Sequence, residues 1–149
     1  MSGAELRGDE LIARRGFAAP PERVWAAFVE PAGVAAFWGG SHATVPPESV
    51  HIDLRPGGEF TLDTRAPSGA TRRLRFVYVR VSAPHELIFD EPVTGLRTTV
   101  TLRPAGTGTG TGTDLTVHQR RLPAELRTAQ AADGLASILE ALDLYLERP

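Results

Sequence analysis

One segment constrains this chain more than any other. After Pro123 comes "AELRTAQAADGLASILEALDLYLERP", the longest stretch with helical periodicity in the sequence. Leu135, Ile138, Leu139, Leu142, Tyr145 and Leu146 recur at helical spacing and form a wide apolar stripe. Arg127, Glu140, Asp143 and Glu147 fall largely off it. A stripe that wide must be buried against something. What precedes it is mostly period-two alternation, the pattern of half-buried strands. An antiparallel sheet has one apolar face to cover, and this helix is the only element long and apolar enough to cover it.

The strands can be placed in order. Residues 10–19 have weak strand character, and residues 1–9 are polar and read as a flexible tail. In "PPERVWAAFVEP" (20–31) the period changes: two prolines suit a helix first turn, Val24, Trp25, Phe28 and Val29 make a stripe, and Pro31 stops it. "AGVAAFWGG" (32–40) reads as a second short helix ended by its glycines. Strands are predicted at 49–55, 59–65, 71–81, 85–91, 95–104 and 113–121, with Gly or Pro at the breaks. On the last two, Leu96, Thr98, Val100 and Leu102 share one face, as do Leu115, Val117 and Gln119. "GTGTGTGT" (106–113) reads as a slack hairpin loop, since its glycine spacing is wrong for a nucleotide loop and a strand follows it. Gly134, costly inside a helix by about 1 kcal/mol, marks either a close approach to the helix or a break in it. The predicted architecture is α+β. A curved antiparallel sheet of about six or seven strands wraps a long C-terminal helix, two short helices follow the first strand, and residues 10–149 form one domain.

Composition removes several chemistries. All sixteen basic residues are arginine, so a Walker-type phosphate loop and a Schiff-base lysine are both excluded. There is no cysteine, hence no disulfide, thiolate nucleophile or thiolate metal site. The formal net charge of −2 gives no reason to expect nucleic acid as a partner. The N-terminus has no apolar signal core and no run approaches the ~20 residues that span a bilayer, so a cytoplasmic protein without membrane insertion is expected. The four histidines lack the spacing of a helical zinc site, and no G-x-S-x-G is present. No metal, cofactor or catalytic residue is assigned.

The hairpin "HIDLRPGGEF" (51–60) is predicted to turn through Pro56, Gly57 and Gly58, with Gly58 left-handed. That register opposes Arg55 to Glu59, Leu54 to Phe60 and Ile52 to Leu62. It turns Leu54 and Phe60 inward and leaves Asp53, Arg55 and Glu59 as a solvated charged row.

The order of elements, with six motifs, resembles the START/Bet v-like (SRPBCC) superfamily and its helix-grip fold. More narrowly it resembles the bacterial relatives of the activator of the heat-shock-protein-90 ATPase. The motifs are "FAAPPERVWAAFVEP" (17–31), "FWGG" (37–40), "DLRPGGEF" (53–60), "APHELIF" (83–89), "GTDLTVHQ" (112–119) and "GLASILEALDLYL" (134–146). Two departures stand out: Gly134 is followed by Leu135 where Trp is frequent, and the tryptophan of "WGG" lacks a following proline. The resemblance implies an internal cavity between sheet and C-terminal helix that holds a small apolar ligand. Its predicted lining is Phe37, Trp38, Leu54, Phe60, Leu62, Phe76, Tyr78, Leu135 and Leu139, with His118 as a polar group on the wall. Two other functions are implied by the same superfamily. One is an enzyme of the polyketide cyclase or dehydratase kind, which needs inward polar groups such as Tyr78, His118 or an arginine. The other is a co-chaperone module that contacts a chaperone or other protein through the outer face.

Overall fold

The computed structural model describes residues 3–105 and 112–148. In chain order they form β1 (Gly3–Arg7), β2 (Glu10–Phe17), α1 (Pro21–Val29), α2 (Pro31–Phe37), β3 (His51–Ile52), β4 (Glu59–Arg65), β5 (Thr71–Ser82), β6 (Glu86–Asp90), β7 (Arg97–Pro104), β8 (Thr113–Arg120) and α3 (Ala129–Leu146). The strands make one antiparallel sheet in the order β1-β2-β8-β7-β6-β5-β4-β3. This is the helix-grip arrangement expected from the sequence, with eight strands where six or seven were predicted. Most of the glycine-threonine repeat, residues 106–111, lies outside the described residues.

Two departures concern the sheet's edges. The predicted polar tail is, over Gly3–Arg7, an edge strand paired to β2. Gly8 and Asp9 close that hairpin as a two-residue loop, with Gly8 at φ +59°. At the opposite edge the predicted strand 49–55 shrinks to His51–Ile52, and its register differs from the expected one. Ile52 opposes Phe60 and His51 opposes Thr61. The turn is also different. Gly57, not Gly58, is the left-handed residue, at φ +84°, and the Gly58 N–H donates to the Arg55 carbonyl. Proline followed by a left-handed glycine is a type II turn. Strand β5 then holds the turn: the Gly57 N–H donates to the Tyr78 carbonyl, and the Tyr78 N–H to that of Gly58.

The helices start where proline allows. Pro21 and Pro31 open α1 and α2, and Glu30 both ends the first and precedes the second. After a short 3₁₀ turn at Ala124–Leu126, the Thr128 hydroxyl accepts from the Ala131 N–H and caps α3. The helix runs unbroken through Gly134, and apart from its chain neighbours and the helix's own backbone nothing lies within 4 Å of where a side chain there would begin. Its buried residues, Ala132, Leu135, Leu139, Leu142 and Leu146, repeat at three and four and meet the concave face of the sheet. Alternation delivers the apolar partners, such as Leu11, Phe76, Phe89, Val100 and Leu115. The convex face carries ion pairs instead, among them Arg73–Asp63, Arg75–Glu59, Arg80–Glu86 and Arg97–Asp90. Among the described residues no helix is long and apolar enough to cross a membrane.

Candidate functional site

Between the concave face, the two short helices and α3 lies a cavity of about 110 Å³. Phe28, Phe37 and Trp38 border it from the short helices. Phe76, Phe89, Val100 and Val117 border it from strands β5 to β8, and Leu135, Ile138 and Leu139 from α3. It exists because the helix meets the sheet across aromatic rings rather than flush. Trp38, half-buried at the end of α2, has its ring centroid 5.2 Å from Phe60 and 5.7 Å from Phe76. Phe76 and Phe89 meet edge to face at 5.2 Å, and Phe28 and Phe37 at 5.0 Å. Such pairs are worth about 0.5–1.5 kcal/mol each beyond burial, so the wall is braced by its own contacts.

Two polar side chains enter the cavity, Thr98 from β7 and Gln119 from β8. They are cross-strand partners, and the Gln119 amide donates to the Thr98 hydroxyl at 3.4 Å, a long bond. A second, more open hollow of about 280 Å³ adjoins the first toward the start of α3. It is bordered by Leu11, His42, Leu122, Leu126 and Gly134, and it shares Leu96, Gln119, Leu135 and Ile138 with the inner cavity. Those four residues are the wall between the two spaces. The loop after α2 lies against the same stretch of helix, where the Ser41 N–H donates to the Ser137 hydroxyl at 3.4 Å.

Five of the predicted lining residues border the cavity: Phe37, Trp38, Phe76, Leu135 and Leu139. Phe60, Leu62 and Tyr78 are buried on the same face but do not border it. Phe60 packs on Trp38, Phe76 and Phe89, which take the cavity side themselves. The Tyr78 ring stacks on Phe60, and its hydroxyl is buried without a hydrogen-bond partner among the described residues. Burial, and secondarily the charge of Asp53, pushes that phenol above its ordinary range, so it stays protonated.

Two predicted residues are elsewhere. Leu54 is exposed, because the shortened β3 leaves it in the loop that leads to the turn. His118 is on the convex face, where its ring meets the Glu10 carboxylate. Its neighbours Val117 and Gln119 face inward, so period two sends His118 out. The charged row is also rearranged. Arg55 pairs with Asp53 two residues away, and Glu59 pairs across the sheet with Arg75, which holds its carboxyl below the usual range. Residues that the prediction left out are Phe28, Phe89, Leu96, Thr98, Val100, Val117, Gln119 and Ile138. For Thr98 and Gln119 the signal was available, since each shares a face with buried aliphatic residues on its strand.

Another inward polar group stands apart from the cavity. Arg15 on β2 reaches α3 and pairs with Asp143 at 2.9 Å. Among the described residues no three His, Asp or Glu lie close enough together to hold a metal ion.

A model of the family described as Activator of Hsp90 ATPase homolog 1-like protein matches residues 18–147. No curated protein matches the chain. Several solved structures share the fold. A Rhodobacter sphaeroides protein is 27% identical, with a TM-score of 0.78, covering 98% of this chain and 97% of its own. An AHSA1-like protein of Aeromonas hydrophila is 25% identical, with a TM-score of 0.71 and coverage of 93% and 92%. Protein CV1439 of Chromobacterium violaceum, 23% identical, superposes with a TM-score of 0.83 over 94% of this chain and 99% of that one.

Proposed function

The chain belongs to the Activator of Hsp90 ATPase homolog 1-like family, and from that premise we propose that it binds a small apolar ligand in the cavity between the sheet and α3. The observation that carries the reading is the cavity itself, bounded by aromatic and aliphatic side chains with only Thr98 and Gln119 to orient what enters. A largely apolar hollow with few convergent polar groups is the usual form of a small-molecule site. Its size sets the scale of the occupant. Pockets for larger ligands run from roughly 300 Å³ upward, whereas an apolar cavity of about 150 Å³ holds benzene. A single ring or a short chain suits the inner space.

Catalysis of the cyclase or dehydratase kind has less support. His118 faces away, the Tyr78 hydroxyl is not at the cavity wall, and Arg15 is tied to Asp143. Thr98 and Gln119 do not ionise near neutral pH, so they suit hydrogen bonding to a ligand rather than general acid or base chemistry. The co-chaperone reading rests on the family description alone.

Trp38 supplies the test. In a Trp25→Phe background its fluorescence reports on the cavity, and titration with toluene should give a saturable change. Val117→Phe, which fills the space, should remove that change while the protein stays folded by circular dichroism. No saturable response up to the solubility of toluene would overturn the proposal.

A further inference from the structure

The charge around the two hollows points to the ligand's chemical class, on the footing that the cavity is a binding site. Among the described residues that border the inner cavity, none is charged. The outer hollow adds one titratable residue, His42, which is exposed at its rim. Arg15, an inward-facing cation on β2, is already paired with Asp143. A carboxylate or ammonium brought to this wall would shed its hydration with no counter-charge to replace it, which is strongly unfavourable.

Hydrogen-bonding capacity, in contrast, is present. Thr98 is 5% exposed, so its hydroxyl is screened from bulk water. The Gln119 carboxamide offers donors and an acceptor beside it, and their mutual bond is long enough at 3.4 Å to yield to a better partner. Gln119 is also part of the wall common to both hollows. Thr98 also stands directly across from Phe89, so a molecule with its apolar body among Phe76, Phe89 and Leu139 lies beside this pair.

We propose that the ligand is a neutral amphiphile: an apolar ring or short chain in the inner cavity, joined to an uncharged hydroxyl, carbonyl or amide that bonds Thr98 and Gln119. The pair selects against charge as much as it selects for a hydrogen bond.

The test is an amide chemical-shift titration of the intact protein with four probes of one shape: toluene, benzyl alcohol, benzoate and benzylammonium at pH 7. Benzyl alcohol is expected to shift Thr98 and Gln119 and to bind at least about tenfold tighter than either ion. One net hydrogen bond is worth about two- to tenfold in affinity. Gln119→Leu and Thr98→Val should accordingly each weaken benzyl alcohol about threefold, and leave toluene unchanged or tighter. Toluene binding also shows that each variant is folded. If toluene binds but benzoate matches benzyl alcohol, or both variants leave benzyl alcohol unaffected, this inference fails and the binding reading stands. If none of the four, toluene included, shifts residues of the cavity wall, the binding reading itself fails.

Discussion

At its C-terminal half, α3 is tied to the rest of the molecule by charge and by tight packing. From Ala131 to Leu139, its N-terminal part, it stands over the two hollows. Asp143 meets Arg15 of β2, and the Arg23 guanidinium of α1 donates to the carbonyls of Leu146 and Arg148, both at 2.9 Å. The Leu146 carbonyl is the last of the helix and has no partner within it, and that of Arg148 lies just beyond, so a cation there satisfies both and complements the helix dipole. Leu142, next to Asp143 in the chain, is fully buried. Around Leu135 and Ile138 the contacts are different: the helix borders open space and Gly134 adds no side chain, while on its flank the loop after α2 donates a 3.4 Å hydrogen bond and packs so closely at Gly40 that a side chain there would meet Ser137 and the Ile138 backbone. The contrast separates what fixes the helix from what the helix encloses. Stability belongs to one half and the binding space to the other, so substitutions in the two halves should have different signatures.

The largest effect is expected from Leu142→Ala. Deleting a fully buried leucine costs about 3 kcal/mol when the surroundings cannot collapse. Leu135→Ala, beside an existing hollow, should cost about half that and should change ligand affinity, which Leu142→Ala should not. Chemical denaturation of both variants checks this, and equal costs would break the comparison. Next comes Arg15→Met, which keeps the apolar stem and removes the ion pair. With both partners partly exposed, the expected loss is about 1 kcal/mol, against less than about 0.5 kcal/mol for Gln119→Leu. In the opposite direction, Gly134→Ala should stabilise by just under about 1 kcal/mol, raising Tm by about 2–4 °C. There is room for the added methyl. A fall in Tm would mean that the hollow half of α3 is more tightly packed than its surroundings indicate.

How far the sequence reveals each half follows from the same physics. Faces are legible, because alternation and helical periodicity are local. They place Leu142 in the core, Thr98 and Gln119 inward, and His118, by the same parity, outward. Register is less legible. The expected hairpin pairing opposed Ile52 to Leu62; the observed one opposes it to Phe60. The two differ by two residues, which keeps every side chain on its own face, so patterning could not choose between them. Hydrogen bonds that Gly57 and Gly58 exchange with Tyr78, some twenty residues along the chain, hold the turn that chooses. Strand β1 went unread for another reason. Leu6 and Ala4 are only half-buried, so their alternation has little contrast, and the one sharp signal was the two-residue Gly8-Asp9 loop. The cavity is the least legible feature, because it is the space left when particular rings meet. Phe28 and Phe60 have equally apolar patterns, yet only Phe28 borders it.

The smallest expected effect concerns an ion pair beside the hollow half. Asp90 and Arg97 oppose each other where β6 meets β7, next to Leu96, with the carboxylate accepting at 2.8 and 2.9 Å. The hydrogen bond from Arg97 holds the Asp90 carboxyl below its ordinary value, against the opposing effect of burial. The sign follows from proton linkage. A carboxyl with a lower pKa in the folded state binds fewer protons there than in the unfolded chain, so it stabilises above its ordinary value of about 4. That contribution is lost as pH falls through the lower, folded value. Asp90→Asn should therefore be less stable than the parent by about 0.5 kcal/mol at pH 7, the scale of a partly exposed pair. The gap should close between pH 4 and pH 2 in urea denaturation. Since the pair is on the convex face, the affinity for benzyl alcohol at pH 7 should be unchanged. A change in affinity would mean that the two faces of the sheet are coupled through Leu96, and that ionic ties reach the hollow half as well.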